Sequence, residues 1–103
     1  IALLYRELGR LAPSPVVELN RAVAVGMADG PQAGLAVLDG LGGALDGYRL
    51  TPATRADLLR RAGRFPEAAG EYARALALAA TDPERRYHAR RLAEVTTTEG
   101  RPD

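Results

Sequence analysis

The stretch Arg55–Pro83, RADLLRRAGRFPEAAGEYARALALAATDP, decides the fold of this chain. It predicts a short helix that ends at Ala62-Gly63-Arg64 and a second helix that runs from Pro66 to Ala80. Small, aromatic or aliphatic residues stand at the positions where two such helices must touch, namely Phe65, Ala68, Tyr72, Ala75 and Leu76. The stretch therefore predicts a pair of closely packed helices.

The spacing of these residues resembles the second half of the tetratricopeptide repeat, a two-helix unit of about 34 residues. The pattern extends more weakly along the chain, since Gly30 lies 33 positions before Gly63 and Ala33 lies 35 before Ala68. Each pair in such a repeat leaves an apolar face that only a neighbouring pair covers, so the units stack. The resemblance implies an all-α, tetratricopeptide-like stack that binds protein segments.

Length and composition agree with one small helical domain. A chain of 103 residues is long enough for a single core and too short for two. Its apolar residues are mostly alanine, with one Phe and no Trp, so the core must come from helices that approach closely. The absence of cysteine excludes disulfides and thiolate metal sites.

The charge balance and the apolar runs bear on partners and location. The 14 basic residues, all arginine, nearly equal the 13 acidic ones, so no strong field attracts nucleic acid. No apolar run approaches the roughly 18–20 residues of a membrane helix, and we expect a cytoplasmic domain without membrane contact. Because the chain starts without Met and in mid-helix at Ile1, we also expect it to be part of a longer protein.

The sequence predicts about six antiparallel helices in residues 1–96 and a disordered tail in residues 97–103. Ser14 is expected to cap the second helix, which is apolar on most sides and should be the most buried. The long loop Gly40–Leu50 is rich in glycine. The predicted helices are Ile1–Leu11, Pro15–Ala28, Pro31–Leu41, a fourth capped by Thr51-Pro52 that runs to Ala62, Pro66–Ala80, and a last helix capped by Asp82-Pro83 that ends near Thr96.

Three runs of the chain resemble the C-terminal extension of one group of extracytoplasmic-function (ECF) RNA polymerase sigma factors. These runs are Ser14–Asp39, Asp46–Leu78 and Glu84–Glu94. In that group the extension follows two promoter-binding domains, is tetratricopeptide-like and adjusts sigma-factor activity. The resemblance implies contacts with the promoter-binding domains of the same chain or with core RNA polymerase. It implies no direct nucleic acid binding by this segment.

The residues that could carry catalysis form no convincing site. His88 is the only histidine, so a metal site with paired histidines is impossible, and Glu84 one turn earlier is its expected partner. Asp57 and Glu67 each have an arginine nearby, which favours salt bridges over acid–base chemistry. We therefore predict no enzyme, no catalytic or metal-binding residues and no cofactor.

Six residues are candidates for contact with a protein partner. Asn20 and Arg21 interrupt an apolar helix. Either Asn20 hydrogen-bonds a neighbouring backbone inside the stack while Arg21 reaches out to solvent, or both line the concave groove of the repeats. Tyr48 and Arg49 either anchor the long loop or form an exposed contact, a residue pair that interfaces favour. Arg60 and Arg61 lie in an arginine-rich helix that is either a solvated face or a surface for an acidic partner or nucleic acid.

The alternative function is a free-standing repeat adaptor that binds a peptide or a small ligand. A sigma-factor domain requires helical promoter-binding regions in the coding sequence upstream of Ile1, whereas an adaptor would show more repeats there.

Overall fold

The computed structural model describes residues 14–41 and 47–100, with side chains as far as Thr97. These residues form five α-helices and no strand, which confirms the all-α prediction for the described part of the chain. The predicted helix Ile1–Leu11 and residues 42–46 of the long loop lie outside it. The helices are α1 (Pro15–Asp29), α2 (Pro31–Gly40), α3 (Leu50–Arg61), α4 (Phe65–Leu78) and α5 (Asp82–Gly100).

The turn between α3 and α4 is set by Gly63, as its sequence context predicts. Its φ of +79° lies in the left-handed region that favours glycine. The Gly63 N–H donates to the Arg60 carbonyl at 3.0 Å, and the Arg64 N–H donates to the Leu59 carbonyl at 2.9 Å. This pair of bonds is a Schellman motif, which satisfies carbonyls at the end of α3 and turns the chain into α4.

Three helix caps differ from their predictions. Thr51-Pro52 lies inside α3, which begins at Leu50, follows Arg49 and has no side-chain capping bond. Ser14 stands at the N-cap of α1, but its side chain makes no capping hydrogen bond. The cap of α5 is Thr81, not Asp82-Pro83, because the Thr81 hydroxyl accepts the Glu84 N–H at 3.2 Å. The Glu84 carboxylate in turn accepts the Ala80 N–H at 2.8 Å, in a variant of the capping box.

The last helix, α5, continues to Gly100, although the sequence predicts an end near Thr96. No glycine or proline stands between Thr96 and Gly100, so nothing in that interval forces the helix to stop. Residues 101–103 of the predicted tail lie outside the described residues.

The helices pack as two pairs and a covering helix. The most extensive contacts join α1 to α2, α3 to α4, and α4 to α5, while α2 links the two pairs by its contact with α3. Buried positions recur 34 residues apart, because Ala22, Gly34 and Leu38 of the first pair correspond to three buried residues of the second. Those three are Ala56, Ala68 and Tyr72.

The first pair packs through two glycines. A Cβ atom at Gly34 would lie 2.7 Å from the Ala22 carbonyl oxygen, and one at Gly26 would lie 2.8 Å from the Leu58 Cδ2 atom. Both distances are shorter than real Cβ contacts. The Ala22 oxygen belongs to the backbone, so only glycine permits the approach at Gly34, whereas the Leu58 methyl group ends a flexible side chain that can shift. The close packing of helices that the composition predicts is thus achieved where α1 crosses α2.

The prediction that α1 is the most buried helix is wrong. Leu19, Ala22 and Gly26 are its buried residues. Of the four large hydrophobic side chains exposed in the described part, three belong to α1, namely Val16 (51%), Val23 (38%) and Met27 (71%). The cause is that α1 packs on α2 and touches α3 only lightly, so no described helix covers its remaining apolar face.

Candidate functional site

An open groove with a cavity volume of about 390 Å³ runs between α1 and α3. We call it the α1–α3 groove. Its α1 wall is mainly apolar, its α3 wall carries charge, and Tyr48 lies in the segment that precedes α3. Its lining includes Val16, Asn20, Val23, Tyr48, Asp57, Arg60 and Arg61.

Three exposed residues of α1 line the groove, namely Val16, Asn20 and Val23, and the exposed Met27 continues their row beyond it. We call these four residues the α1 stripe. Their spacing of four, three and four positions places them on one face of the helix. The side chain of Asn20 makes no hydrogen bond to any residue in the described part. The α1 stripe is therefore an apolar surface with one solvent-exposed amide in its middle.

The α3 wall is built on a hydrogen-bonded cluster that joins three helices. The Asp57 carboxylate accepts the hydroxyl of Tyr72 from α4 and, at 3.0 Å, the hydroxyl of Tyr87 from α5. Arg60 Nε donates to the Tyr72 hydroxyl oxygen at 3.0 Å. We call Asp57, Arg60, Tyr72 and Tyr87 the Asp57 cluster. Burial, and then the hydrogen bond to Asp57, raises the pKa of Tyr72, so its hydroxyl stays protonated near neutral pH.

The two acidic residues for which the sequence predicts salt bridges behave differently. Glu67 accepts two hydrogen bonds from Arg64, at 2.6 and 2.8 Å, which lower the pKa of Glu67. Asp57 has tyrosine partners instead of a direct arginine partner. Because those tyrosines lie 15 and 30 positions away on other helices, no local pattern indicates them.

His88 does not pair with Glu84 as the sequence predicts. The Glu84 carboxylate accepts hydrogen bonds from the Ala80 N–H and from Arg49 Nη1 instead. His88 is buried against two tyrosine rings, with its ring centroid 6.5 Å from that of Tyr72 and 5.4 Å from that of Tyr87. The lone histidine is therefore part of the packing behind the Asp57 cluster.

Arg60 and Arg61 differ from most arginines of the described part. Arg61 is exposed, and neither residue forms an ion pair with a described carboxylate. Seven other arginines do form such pairs, five of them with a residue three positions away on the same helix or turn. These seven are Arg21, Arg49, Arg55, Arg64, Arg74, Arg85 and Arg91.

Four of the six candidate contact residues converge on the α1–α3 groove. Asn20, Tyr48, Arg60 and Arg61 all line it, although they come from three segments of the chain. Tyr48 is half-buried and packs against the core, so it also anchors the segment just before α3. The structure therefore brings together residues that the sequence indicated only one by one.

The other two candidates are engaged elsewhere. Arg21 binds Glu18 of its own helix, with Nη2 2.9 Å and Nε 3.1 Å from the carboxylate. Arg49 Nη1 lies 2.6 Å from Glu84 Oε1, which ties the segment before α3 to the start of α5. The hydrogen bond from the Ala80 N–H is the main cause that holds the pKa of Glu84 below its usual range, and the hydrogen bond from Arg49 is the second.

Comparison with known proteins finds a relative of unknown role. An uncharacterized protein of Rhizobium meliloti (strain 1021) is 49% identical over 87 residues, which cover 84% of this chain and 21% of that protein. The chain thus spans about a fifth of the length of the curated relative it matches. No family model matches the chain, and no solved structure matches it. None of the helices in the described part of the chain combines the length and the hydrophobicity that a membrane span requires.

Proposed function

We propose that the chain is the C-terminal regulatory domain of a bacterial ECF sigma factor and acts by protein contact. It modulates transcription initiation by binding the promoter-binding domains of its own protein or core RNA polymerase. We expect a cytoplasmic location, no catalysis and no cofactor. The fold in this proposal is a tetratricopeptide-like stack of about six helices, of which the first corresponds to Ile1–Leu11.

The 34-residue recurrence of buried positions supports the repeat. Gly34 and Ala68 occupy equivalent places in α2 and α4, and Leu38 and Tyr72 do the same one turn later. The second helices also begin 34 residues apart, at Pro31 and Phe65. That distance equals the usual length of the tetratricopeptide unit, about 34 residues.

The observation that carries the protein-binding function is the open α1–α3 groove. Exposed apolar side chains that line up along one helix, beside unpaired cations, are typical of protein contact surfaces. The Asp57 cluster holds the α3 wall rigid because its groups bond one another across three helices. A preformed wall lowers the ordering cost of binding.

The sigma-factor assignment rests on the resemblance of Ser14–Asp39, Asp46–Leu78 and Glu84–Glu94 to the C-terminal extension of that group. A relative in which the matching segment makes up 21% of the length is compatible with a domain attached to a larger protein. The mechanism we propose is a population shift. Contact through the groove favours or blocks the conformation that engages polymerase, and the difference in contact free energy determines which.

Run-off transcription with core polymerase tests this function. The protein that contains the chain is compared with a form truncated just before Ile1. Loss of transcript on truncation would assign the domain to the active factor, and a gain would make it a tethered inhibitor. An unchanged transcript would contradict the proposal. Additional repeats upstream of Ile1, in place of promoter-binding regions, would favour the adaptor.

The absence of direct nucleic acid binding is tested separately. Most arginines of the described part are neutralised by a neighbouring carboxylate, which leaves little phosphate-binding capacity. We expect no detectable binding of the chain to promoter DNA at near-physiological salt. A sub-micromolar affinity that falls steeply with salt would contradict this expectation.

A further inference from the structure

We propose that the α1–α3 groove binds an acidic amphipathic helix, with apolar side chains on the α1 stripe and carboxylates at Arg60 and Arg61. This inference rests on the proposed function, in that it names the kind of segment that the regulatory domain contacts. Three features of the groove specify the ligand: the apolar stripe, the pair of arginines and the amide of Asn20.

The α1 stripe matches the contact face of one helix. From Val16 to Met27 the stripe rises about 16 Å, at about 1.5 Å per residue, which corresponds to three turns. Its side chains recur at helical spacing, and such ridges pack best into the grooves of another helix with the same repeat. An amphipathic helix of three to four turns would cover Val16, Val23 and Met27 together.

The charge of the α3 wall determines which charge the partner must carry. Asp57 is occupied by two tyrosine hydroxyls, whereas Arg61 has no carboxylate partner in the described part of the chain. Arg60 uses its Nε atom on Tyr72, and its two terminal amino groups bond no described carboxylate. The planar guanidinium groups of two adjacent arginines suit carboxylates, so an acidic helix is favoured over a basic one.

Asn20 adds a requirement for register. A bound helix would remove this amide from water, and an amide buried without partners costs free energy. The ligand must therefore place a polar side chain opposite Asn20, between the residues that cover Val16 and Val23. This requirement discriminates against purely apolar segments.

Fluorescence anisotropy with designed peptides tests the ligand class. The probe is a labelled helical peptide of about 14 residues. Four positions of its contact face, spaced four, three and four residues apart, hold leucine, glutamine, leucine and leucine, and glutamates lie along one flank. The control peptide keeps the leucines and has lysine at each glutamate position. Both are titrated with the chain at two salt concentrations.

Matched variants of the chain locate the contact. Arg61→Glu is compared with Arg86→Glu, since Arg86 is also exposed and forms no ion pair with a described carboxylate but lies on α5. Val23→Glu is compared with Leu78→Glu, since Leu78 is exposed (48%) at the end of α4 and outside the groove. Arg61→Gln is included because a glutamate at the end of α3 opposes the helix dipole. Circular dichroism verifies that each variant is folded.

We expect the acidic peptide to bind at least tenfold more tightly than the lysine peptide, with a preference that shrinks at high salt. Arg61→Glu and Val23→Glu should each weaken binding about fivefold or more, Arg61→Gln less, and the two controls less than about twofold. Equal affinity for both peptides, no binding of either, or equal effects of the groove and control variants would overturn the proposal.

Self-association is a further outcome. If sedimentation shows a dimer of the chain that Met27→Glu dissociates, the α1 stripe is occupied by a second copy, and the proposal is overturned. Because the binding assay contains no polymerase, its failure leaves the truncation result untouched. Conversely, an unchanged transcript on truncation would contradict the sigma-factor function even if the acidic peptide binds.

Discussion

The two helix pairs, α1–α2 and α3–α4, use equivalent positions in different ways. In the first pair Gly34 and Leu38 are buried in an apolar contact that depends on the absence of a side chain at Gly34. In the second pair the positions 34 residues later hold Ala68 and Tyr72, and the tyrosine hydroxyl reaches Asp57. The first pair is held by close backbone approach, and the second by a large side chain with a polar tip.

The difference shows how one small domain can separate stability from binding. The second pair is covered by α5, and its polar groups are satisfied by one another. The outer face of α1 has no described helix on it and keeps the exposed α1 stripe. We therefore assign most of the stability to the Asp57 cluster and its surroundings, and the binding capacity to the α1–α3 groove.

Truncation of Tyr72 should break the second pair. Tyr72 is fully buried, so Tyr72→Ala should lower the free energy of unfolding by about 3–5 kcal/mol. Tyr72→Phe keeps the ring and removes the hydroxyl that joins Asp57 to Arg60, with an expected loss of about 1–3 kcal/mol. Urea unfolding measures both. A Tyr72→Phe variant as stable as the original chain would show that the Asp57 cluster does not contribute to stability.

Two glycines test the backbone approach in the first pair. Gly34→Ala forces a Cβ atom against the Ala22 carbonyl oxygen and should destabilise by about 1–3 kcal/mol. Gly70→Ala is the matched control, because Gly70 also lies inside a helix and has no neighbour within 4 Å. That change should stabilise by about 0.4–1 kcal/mol. Thermal unfolding of the two variants should therefore shift in opposite directions, and equal shifts would refute the close approach.

The Arg49–Glu84 pair predicts a small, pH-dependent effect. The pKa of Glu84 is lowered in the folded state. The ionised carboxylate therefore stabilises the fold fully at pH values above the ordinary glutamate pKa of about 4.3. This stabilisation is lost as the pH falls through the lowered pKa that Glu84 has in the folded state. Glu84→Gln should therefore reduce the Tm at pH 7, and the difference from the original chain should vanish in strong acid. A difference that persists below pH 3 would show that the charge is not the cause.

The smallest effect should come from the α1 stripe itself. Met27→Ser and Val23→Ser remove exposed apolar surface, so each should change the free energy of unfolding by less than about 0.5 kcal/mol. Leu38→Ser on the neighbouring helix is the contrast. Leu38 is only 2% exposed, so this substitution should lower the free energy of unfolding severely. A large loss at Met27 would mean that the stripe is covered within the protein and is not available to a partner.

The helices themselves could be predicted because their boundaries are local. Pro15 and Pro31 open α1 and α2, and Gly63 ends the α3 turn, as the sequence indicates. The Thr81–Glu84 cap was readable as well, since threonine followed three residues later by glutamate is the capping-box pattern. The predicted cap at Asp82-Pro83 lies one residue too late, because proline is typical of the first turn of a helix and not of the cap itself.

The exposure of α1 and the partners of Asp57 could not be predicted in this way. Apolarity indicates that a helix can be buried but not which neighbour covers it, so the α1 stripe appeared as core. The bonds from Tyr72 and Tyr87 to Asp57, and from Arg49 to Glu84, span 15 to 35 positions and depend on how whole helices pack. The Arg21–Glu18 pair, three positions apart on one helix, was within reach of a local pattern.

The central claim is that the α1–α3 groove carries the regulatory contact. The most direct test is run-off transcription with the protein that contains this chain, as the double variant Val23→Glu/Arg61→Glu and as its matched control Leu78→Glu/Arg86→Glu. We predict that the groove variant changes transcript yield in the same direction as truncation before Ile1, and that the control behaves like the unmodified protein. A groove variant with unchanged transcript, in a protein whose truncation does alter it, would contradict the claim.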